Sequence, residues 1–248
     1  MYFILVMNKI KQVKTKYGYI NVMTNDFIGK YFLKNKYWDD DNINNILLVI
    51  KQNKSIIDIG ANIGSHTLQY SKYIDDGCKV YSFEPQTFLF KNLLSKTVAD
   101  NELKNVELFN CALGHKNIDG SMNKLCDKGR ELNYNINSET NFGGLNLGKG
   151  GEKISIKTLD SFNFDNIGFI KIDVEGAEKL VILGAIQTLK RNRPIVLYEN
   201  NYKQITNDMR KMFNLTDSEY YFNIELFFLK YLKYSKLERV GDDIICFP

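Results

Sequence analysis

Short apolar segments alternate with segments of helical periodicity from residue 55 onwards, and this alternation limits the fold more than any other feature. The apolar segments are four to six residues long, as strands are, and lie at 55–59, 78–83, 106–109, 169–173 and 194–199. Helical patterns lie between them at 65–75, 86–100 and 176–190. Because strands that alternate with helices build right-handed βαβ units, the sequence predicts an α/β protein with a parallel sheet and helices on both faces.

One domain is predicted for the whole chain, residues 1–248. Hydrophobic residues make up 44% and charged residues 25%, which is ordinary for a globular core, and no linker-like segment divides the chain. Residues 1–53 are interpreted as an N-terminal β/α extension and residues 54–248 as the core. Within the core, the glycine-rich stretch 114–153 interrupts the alternation and is predicted to be a loop insertion.

Charge and the N-terminal segment limit the partners that we expect. The net charge of +4 is small and spread along the chain, which argues against DNA and RNA as partners. The apolar start, Met1 to Met7, is too short for a membrane span and lacks the features of a signal peptide, so we expect a cytoplasmic protein. It is interpreted as a strand, and whether it joins two chains in a homodimer stays open.

A glycine turn follows the first apolar strand, at Asp58-Ile59-Gly60-Ala61-Asn62-Ile63-Gly64. Gly60 lets the backbone turn tightly and approach a ligand closely. The spacing differs from the GxGxxG of dinucleotide sites, and a carboxylate at Asp58 repels a pyrophosphate but suits an ammonium or sulfonium group. An NAD-dependent oxidoreductase is therefore the less favoured alternative.

The ends of the next two strands complete the predicted cofactor site. Glu84, in Phe83-Glu84-Pro85, can accept two hydrogen bonds from a ribose diol, and Asn110 and Ala112 follow the third strand, where an adenine would lie. Since ligands of open parallel sheets bind outside the carboxyl ends of the strands, this order predicts S-adenosylmethionine as the cofactor. The predicted cofactor-binding residues are Asp58, Gly60, Asn62, Gly64, Glu84, Asn110 and Ala112.

With these motifs, the sequence resembles the FkbM-type methyltransferases. The most specific part of the resemblance is the block 170–178, Ile-Lys-Ile-Asp-Val-Glu-Gly-Ala-Glu, and the whole extends over roughly residues 27–248. The resemblance implies a Rossmann-like class I methyltransferase fold, a seven-stranded, mostly parallel sheet with a final antiparallel strand. It also implies O-methylation of a hydroxyl, often on sugars or secondary metabolites.

Methyl transfer to an alcohol needs a base or a metal, because a neutral hydroxyl is a weak nucleophile. Asp173 ends the fourth strand and Glu199 the fifth, and both are predicted to be catalytic, as a general base or as groups that hold the hydroxyl. In the alternative, Asp173, Glu199 and Asn200 offer three oxygen ligands to Mg²⁺.

Three further residues are predicted on the acceptor side. Glu175 lies in the family block, His66 lies one turn into the helix after the glycine turn and could act as a base, and Asn141 lies in the insertion. The segment Asn141-Phe142-Gly143-Gly144-Leu145-Asn146 is predicted to be a lid or wall for a carbohydrate acceptor, because amides form paired hydrogen bonds and aromatic rings offer stacking faces. Glu178 is interpreted as structural, since acids are favoured at helix starts.

The predicted function is transfer of a methyl group to a hydroxyl of a sugar, glycan or small-molecule metabolite. Methylation of an RNA cap or ribose 2′-hydroxyl is an alternative that the low net charge disfavours. A cofactor-binding module without catalysis is a third alternative, against which the acids Asp58, Glu84, Asp173 and Glu199 argue.

Overall fold

A computed structural model of the chain describes residues 9–34, 36–124, 126–127, 130–131, 141–200 and 205–248. The opening strand predicted between Met1 and Met7, and with it the question of a dimer contact there, lies outside these residues. Among the described residues, no helix combines the length and the apolar character that crossing a membrane requires.

The strands and helices of the described residues are numbered in chain order. The strands are β1 (Ile10–Thr15), β2 (Gly18–Met23), β3 (Ser55–Ile59), β4 (Val80–Phe83), β5 (Val106–Phe109), β6 (Ala112–Leu113), β7 (Ile118–Asn123), β8 (Cys126–Asp127), β9 (Arg130–Glu131), β10 (Gly150–Lys157), β11 (Ile167–Ile172), β12 (Ile195–Glu199), β13 (Lys236–Val240) and β14 (Asp243–Phe247). The helices are α1 (Phe27–Leu33), α2 (Asp40–Leu47), α3 (Ser65–Tyr73), α4 (87–100, with a π-helical turn at Phe90–Leu94), α5 (Glu178–Leu183), α6 (Ile186–Asn192), α7 (Asn207–Phe213), α8 (Asp217–Tyr220) and α9 (224–231).

Seven strands form the central sheet, in the order β13-β14-β12-β11-β3-β4-β5. The pairs from β12 to β5 are parallel, and β14 runs antiparallel to both of its neighbours. This confirms the predicted Rossmann-like methyltransferase fold with a mostly parallel sheet and a final antiparallel strand. The chain order changes direction between β3 and β11, so the carboxyl ends of these strands border a topological switch point.

Helices cover both faces of the sheet because successive strand residues point to opposite sides. On one face, Ile57 and Ile170 pack in a cluster that includes Val181 of α5. On the other face, Ile56 and Phe169 pack in a cluster that α2 and α3 also enter. Both faces of the central strands are therefore buried, as their continuous apolar runs predict.

A hairpin of β1 and β2 opens the described chain, and Ile20 and Val22 of β2 are fully buried in a cluster with residues of α1 and α4. Within the stretch 114–153, which was predicted to be a loop, the described residues 118–123 form strand β7, which pairs antiparallel with β10; β10 in turn pairs parallel with β6, just before the stretch. Gly151 in β10 serves close packing, since a Cβ there would lie 2.2 Å from the carbonyl oxygen of Asn123. Glycine content alone does not distinguish such a strand from a loop.

Candidate functional site

A pocket opens at the carboxyl ends of β3, β4, β11 and β12, at the switch point of the sheet. The start of α1 and the segment that follows residue 140 complete its wall. Nine of the residues predicted for the site line this pocket. They are Gly60, Asn62, His66, Glu84, Ala112, Asn141, Asp173, Glu175 and Glu199.

The turn after β3 has a backbone that favours glycine at position 60. Gly60 has a φ of +85°, and a Cβ there would lie 1.9 Å from the carbonyl oxygen of Asp173. The N–H groups of Gly60 and Ala61 both donate to the carbonyl of Phe83, at 3.0 and 2.9 Å. The turn thus contacts the loop after β11 and the end of β4 at once, and it fixes the floor of the pocket.

Glu84 places a buried carboxylate in the pocket. It is 3% exposed, and its two oxygens accept the N–H groups of Asn62 at 3.0 Å and Gln86 at 2.8 Å. Burial raises the pKa of Glu84 to about 7, although both amides act in the opposite direction. A carboxylate has about four acceptor sites, so two of them remain for hydroxyl groups of a ligand.

Asp58 does not line the pocket, contrary to its predicted cofactor contact. It is fully buried within β3, and its Oδ2 accepts a hydrogen bond from Thr67 Oγ1 of α3 at 2.6 Å. Its partner in the register of the neighbouring strand β11 is Lys171. Its hydrogen bond to Thr67 shows that the side chain points to the face covered by α3.

Gly64 and Asn110 also lie outside the pocket lining. Gly64 precedes α3 with a φ of +90°, and a Cβ there would lie 2.8 Å from Leu94 of α4, so glycine allows this helix contact. The Asn110 amide donates to the carbonyl oxygens of Glu84 and Pro85, at 2.9 and 3.1 Å. Asn110 therefore supports the turn that carries Glu84.

Three carboxylates meet on the side of the pocket opposite Glu84's strand. One oxygen of each of Asp173, Glu175 and Glu199 lies within 4.8 Å of the others. Asp173 follows β11 and Glu199 ends the adjacent parallel strand β12, so the sheet brings them together. Such a cluster can accept a hydroxyl proton or hold a cation.

The loop between β11 and α5 is held by Glu178. Its Oε1 accepts the N–H groups of Val174 and Gly176, both at 3.1 Å, and burial raises its pKa to about 8. Between these amides lies Glu175, with a left-handed φ of +59°. Glu178 thereby fixes the backbone that presents Glu175 to the pocket.

A family model of the methyltransferase FkbM domain matches residues 58–231, which include the glycine turn, Glu84 and the acidic cluster. The chain belongs to the FkbM methyltransferase family. No curated protein matches it.

Solved structures similar to this FkbM-family chain are remote in sequence. One is the methyltransferase FkbM from Methylobacillus flagellatus KT, with 17% identity over 79% of this chain and a TM-score of 0.48; the match spans 44% of that longer chain, less than half of its length. A second is an O-methyltransferase from Bacillus cereus in complex with S-adenosylhomocysteine, with 14% identity over 84% and 81% of the two chains and a TM-score of 0.44. A third is a SAM-dependent methyltransferase from Aquifex aeolicus, with 12% identity over 85% and 89% and a TM-score of 0.41.

Of the three predicted metal ligands, Asp173 and Glu199 line the pocket and Asn200 does not. The side chain of Asn200 is exposed outside the pocket lining, and its backbone N–H donates to the carbonyl of Asp242 at 2.7 Å. Glu175 joins Asp173 and Glu199 in the acidic cluster.

Lys171 is a pocket residue that the motifs did not reveal. It is 4% exposed, and its Nζ donates to Oδ2 of Asp173 at 3.0 Å. Burial acts to lower the pKa of Lys171, but the carboxylates of Asp173, Asp58 and Asp243 outweigh it and hold the pKa above its ordinary value. A lysine within an apolar strand was the available signal, since buried lysines are paired.

His66 lines the pocket from α3 and is 6% exposed. Its Nε2 lies 3.6 Å from Oδ2 of Asp39. Burial, followed by the charge of Lys171, holds the pKa of His66 well below its ordinary value. The ring is therefore neutral at pH 7 and able to exchange hydrogen bonds with a ligand.

The segment that begins at Asn141 lies against α1. Asp26, at the start of α1, accepts the N–H of Phe142 at 3.0 Å, and Asn141 lines the pocket. The ring of Phe142 is buried and does not line the pocket, so it offers no stacking face there. Aromatic lining comes instead from Phe27 and Trp38 of the N-terminal extension and from Phe83 at the end of β4.

Proposed function

We propose that this FkbM-family protein transfers a methyl group from S-adenosylmethionine to a hydroxyl oxygen of a sugar, glycan or small-molecule metabolite. The observation that carries the proposal is the pocket at the switch point, which holds a glycine turn, a buried carboxylate and an acidic cluster together. These are the groups that a nucleoside-linked sulfonium and an alcohol require.

The residues on the β3–β4 side fit the methyl donor. Glu84 has acceptor sites for a ribose diol, and Gly60 lets the amino acid part of the ligand approach the backbone. Ala112, between Cys111 and Leu113, lines an apolar wall suited to an adenine ring. S-adenosylmethionine, when bound, supplies an electrophilic methyl carbon.

The acidic cluster fits the acceptor. The hydroxyl oxygen attacks the methyl carbon, the carbon–sulfur bond breaks with its electron pair staying on sulfur, and the hydroxyl proton passes to Asp173 or Glu199 and then to water. Orienting the hydroxyl and removing its proton are the tasks of these carboxylates. Glu175, Asn141 and His66 line the same pocket and are assigned to acceptor binding.

Calorimetric titration with S-adenosylhomocysteine tests the proposal, with NADH as the control ligand. We expect micromolar binding of S-adenosylhomocysteine and no heat with NADH. Absence of binding by S-adenosylhomocysteine, or binding by NADH, contradicts the cofactor assignment. Methyl glycosides, glycans and capped RNA, each offered with labelled S-adenosylmethionine, then identify the acceptor. If only RNA is labelled, and the labelling decreases as the salt concentration rises, the acceptor is RNA and not a sugar.

Glu84→Gln is expected to weaken binding of S-adenosylhomocysteine by roughly 1–3 kcal/mol, because charge-assisted bonds to the ribose hydroxyls are lost. The matched control is Glu152→Gln: Glu152 is exposed, accepts the N–H of Thr87 at 3.2 Å and lies outside the pocket lining. Calorimetry on both variants distinguishes a direct contact from a general charge effect. Equal affinities of Glu84→Gln and wild type would remove Glu84 from the cofactor site.

The affinity for S-adenosylhomocysteine is also expected to depend on pH through Glu84, whose pKa burial raises to about 7. A ribose diol donates to the ionised carboxylate, so binding requires the deprotonated form and weakens as pH falls below 7. Between about pH 8 and about pH 5.5 the affinity should fall about 30-fold. Titrations across this range test the slope; a wild-type profile without it, or the same slope in Glu84→Gln, contradicts the assignment.

A further inference from the structure

One face of the central sheet changes from apolar to charged just before the strands end. On β11, Phe169 is fully buried and Lys171 follows on the same face; Asp173 comes directly after the strand. On β3, Asp58 is the register partner of Lys171. A cation thus lies between two carboxylates, one beneath the pocket and one within it.

Lys171 is held in this place by burial and charge. Its Nζ donates to Asp173 at 3.0 Å, and the carboxylates of Asp58 and Asp243 add to the negative potential around it. A buried ammonium is stable only when it is paired, and this one has a partner directly after its own strand, Asp173, and a carboxylate on the neighbouring strand β3, Asp58. The positive charge is therefore a permanent part of the pocket floor.

The same carboxylates would otherwise be suited to a divalent cation. Asp173, Glu175 and Glu199 each place an oxygen within 4.8 Å of the others, and hard cations prefer such oxygens. A metal ion bound there would share Asp173 with the Lys171 ammonium and be repelled by it. The residues present therefore fit a divalent cation poorly.

We infer that Lys171 is a built-in cation of the site: it positions the Asp173 carboxylate and prevents a divalent cation from binding to Asp173, Glu175 and Glu199. This inference deepens the proposed function, on which the role of Asp173 rests, by making methyl transfer independent of a metal. Lys171 is a positioning residue, since it acts through Asp173.

Binding of Mn²⁺, measured by electron paramagnetic resonance on the full chain, tests this inference without donor or acceptor. Lys171→Met is expected to bind Mn²⁺ at least about tenfold more tightly than wild type, because removing a unit charge a few ångströms away is worth more than about 1.4 kcal/mol. Lys171→Arg keeps the charge and should resemble wild type. Lys171→Met/Asp173→Asn should lose the gained affinity.

Folding is controlled by a second variant, because Lys171→Met leaves Asp58 without its cation. Asp58→Asn/Lys171→Met removes both buried charges and should keep part of the gain in Mn²⁺ affinity, since Asp58 lies outside the pocket lining. The inference is overturned if neither folded variant gains affinity for Mn²⁺. It is also overturned if wild type binds Mn²⁺ as tightly as Lys171→Met does. The same samples are titrated with S-adenosylhomocysteine. This titration tests the cofactor assignment, whereas the Mn²⁺ measurement tests the role of Lys171, so the two can fail independently.

Discussion

Asp173→Asn is expected to lower the rate of methyl transfer by about 10²–10⁴-fold while the protein stays folded and keeps its affinity for S-adenosylhomocysteine. An amide of the same shape still accepts a hydrogen bond from Lys171 but cannot take the proton of the acceptor hydroxyl. The Asp173 side chain is 41% exposed, so it is accessible to an acceptor in the pocket. Single-turnover transfer from labelled S-adenosylmethionine to the acceptor found by screening measures the loss.

The matched control is Asp243→Asn. Asp243 is the register partner of Glu199 and contributes to the field at Lys171, yet it does not line the pocket. Its variant should keep a rate within a few-fold of wild type. Full activity of Asp173→Asn, together with a large loss in Glu199→Gln, would move the proton acceptor to Glu199. Full activity of both would remove the acidic cluster from the proton transfer.

The parallel sheet could be predicted from sequence because buried parallel strands are continuous apolar runs. The segments at 55–59 and 169–173 have this form, and both became central strands. The insertion was harder to predict. Its strand β7 is polar and contains Gly120, where a Cβ would lie 2.5 Å from Cδ1 of the Ile156 side chain, so this glycine gives room for packing within a strand and does not mark a loop.

The sequence could predict those site residues that lie at the ends of strands. Glu84, Asp173 and Glu199 follow or end parallel strands, and the carboxyl ends of such strands meet at one edge. That rule does not give the direction of a side chain, so it predicts Asp58 in the pocket although its side chain points beneath the pocket. Trp38 lines the pocket through contacts between segments that are distant in the sequence, and the spacing of residues gives no signal of such contacts.

The second large effect is expected from a substitution in the glycine turn, and another glycine of the chain provides a matched control. Gly60→Ala introduces a Cβ 1.9 Å from the carbonyl oxygen of Asp173 at a φ of +85°, whereas Gly77→Ala introduces one at +88° with no atom within 4 Å. Both substitutions carry the cost of a left-handed alanine, about 1–2 kcal/mol. Only Gly60→Ala adds steric overlap with backbone, about 1–3 kcal/mol more.

We therefore expect Gly60→Ala to lower the free energy of unfolding by about 2–5 kcal/mol and Gly77→Ala by about 1–2 kcal/mol. At roughly 2–4 °C per kcal/mol for a chain of this size, thermal unfolding resolves the two. Since relief of the overlap must separate the turn from the loop after β11, Gly60→Ala should also lose affinity for S-adenosylhomocysteine, and Gly77→Ala should not. Equal melting temperatures and equal affinities would mean that the contact between Gly60 and Asp173 fixes neither the fold nor the floor of the pocket.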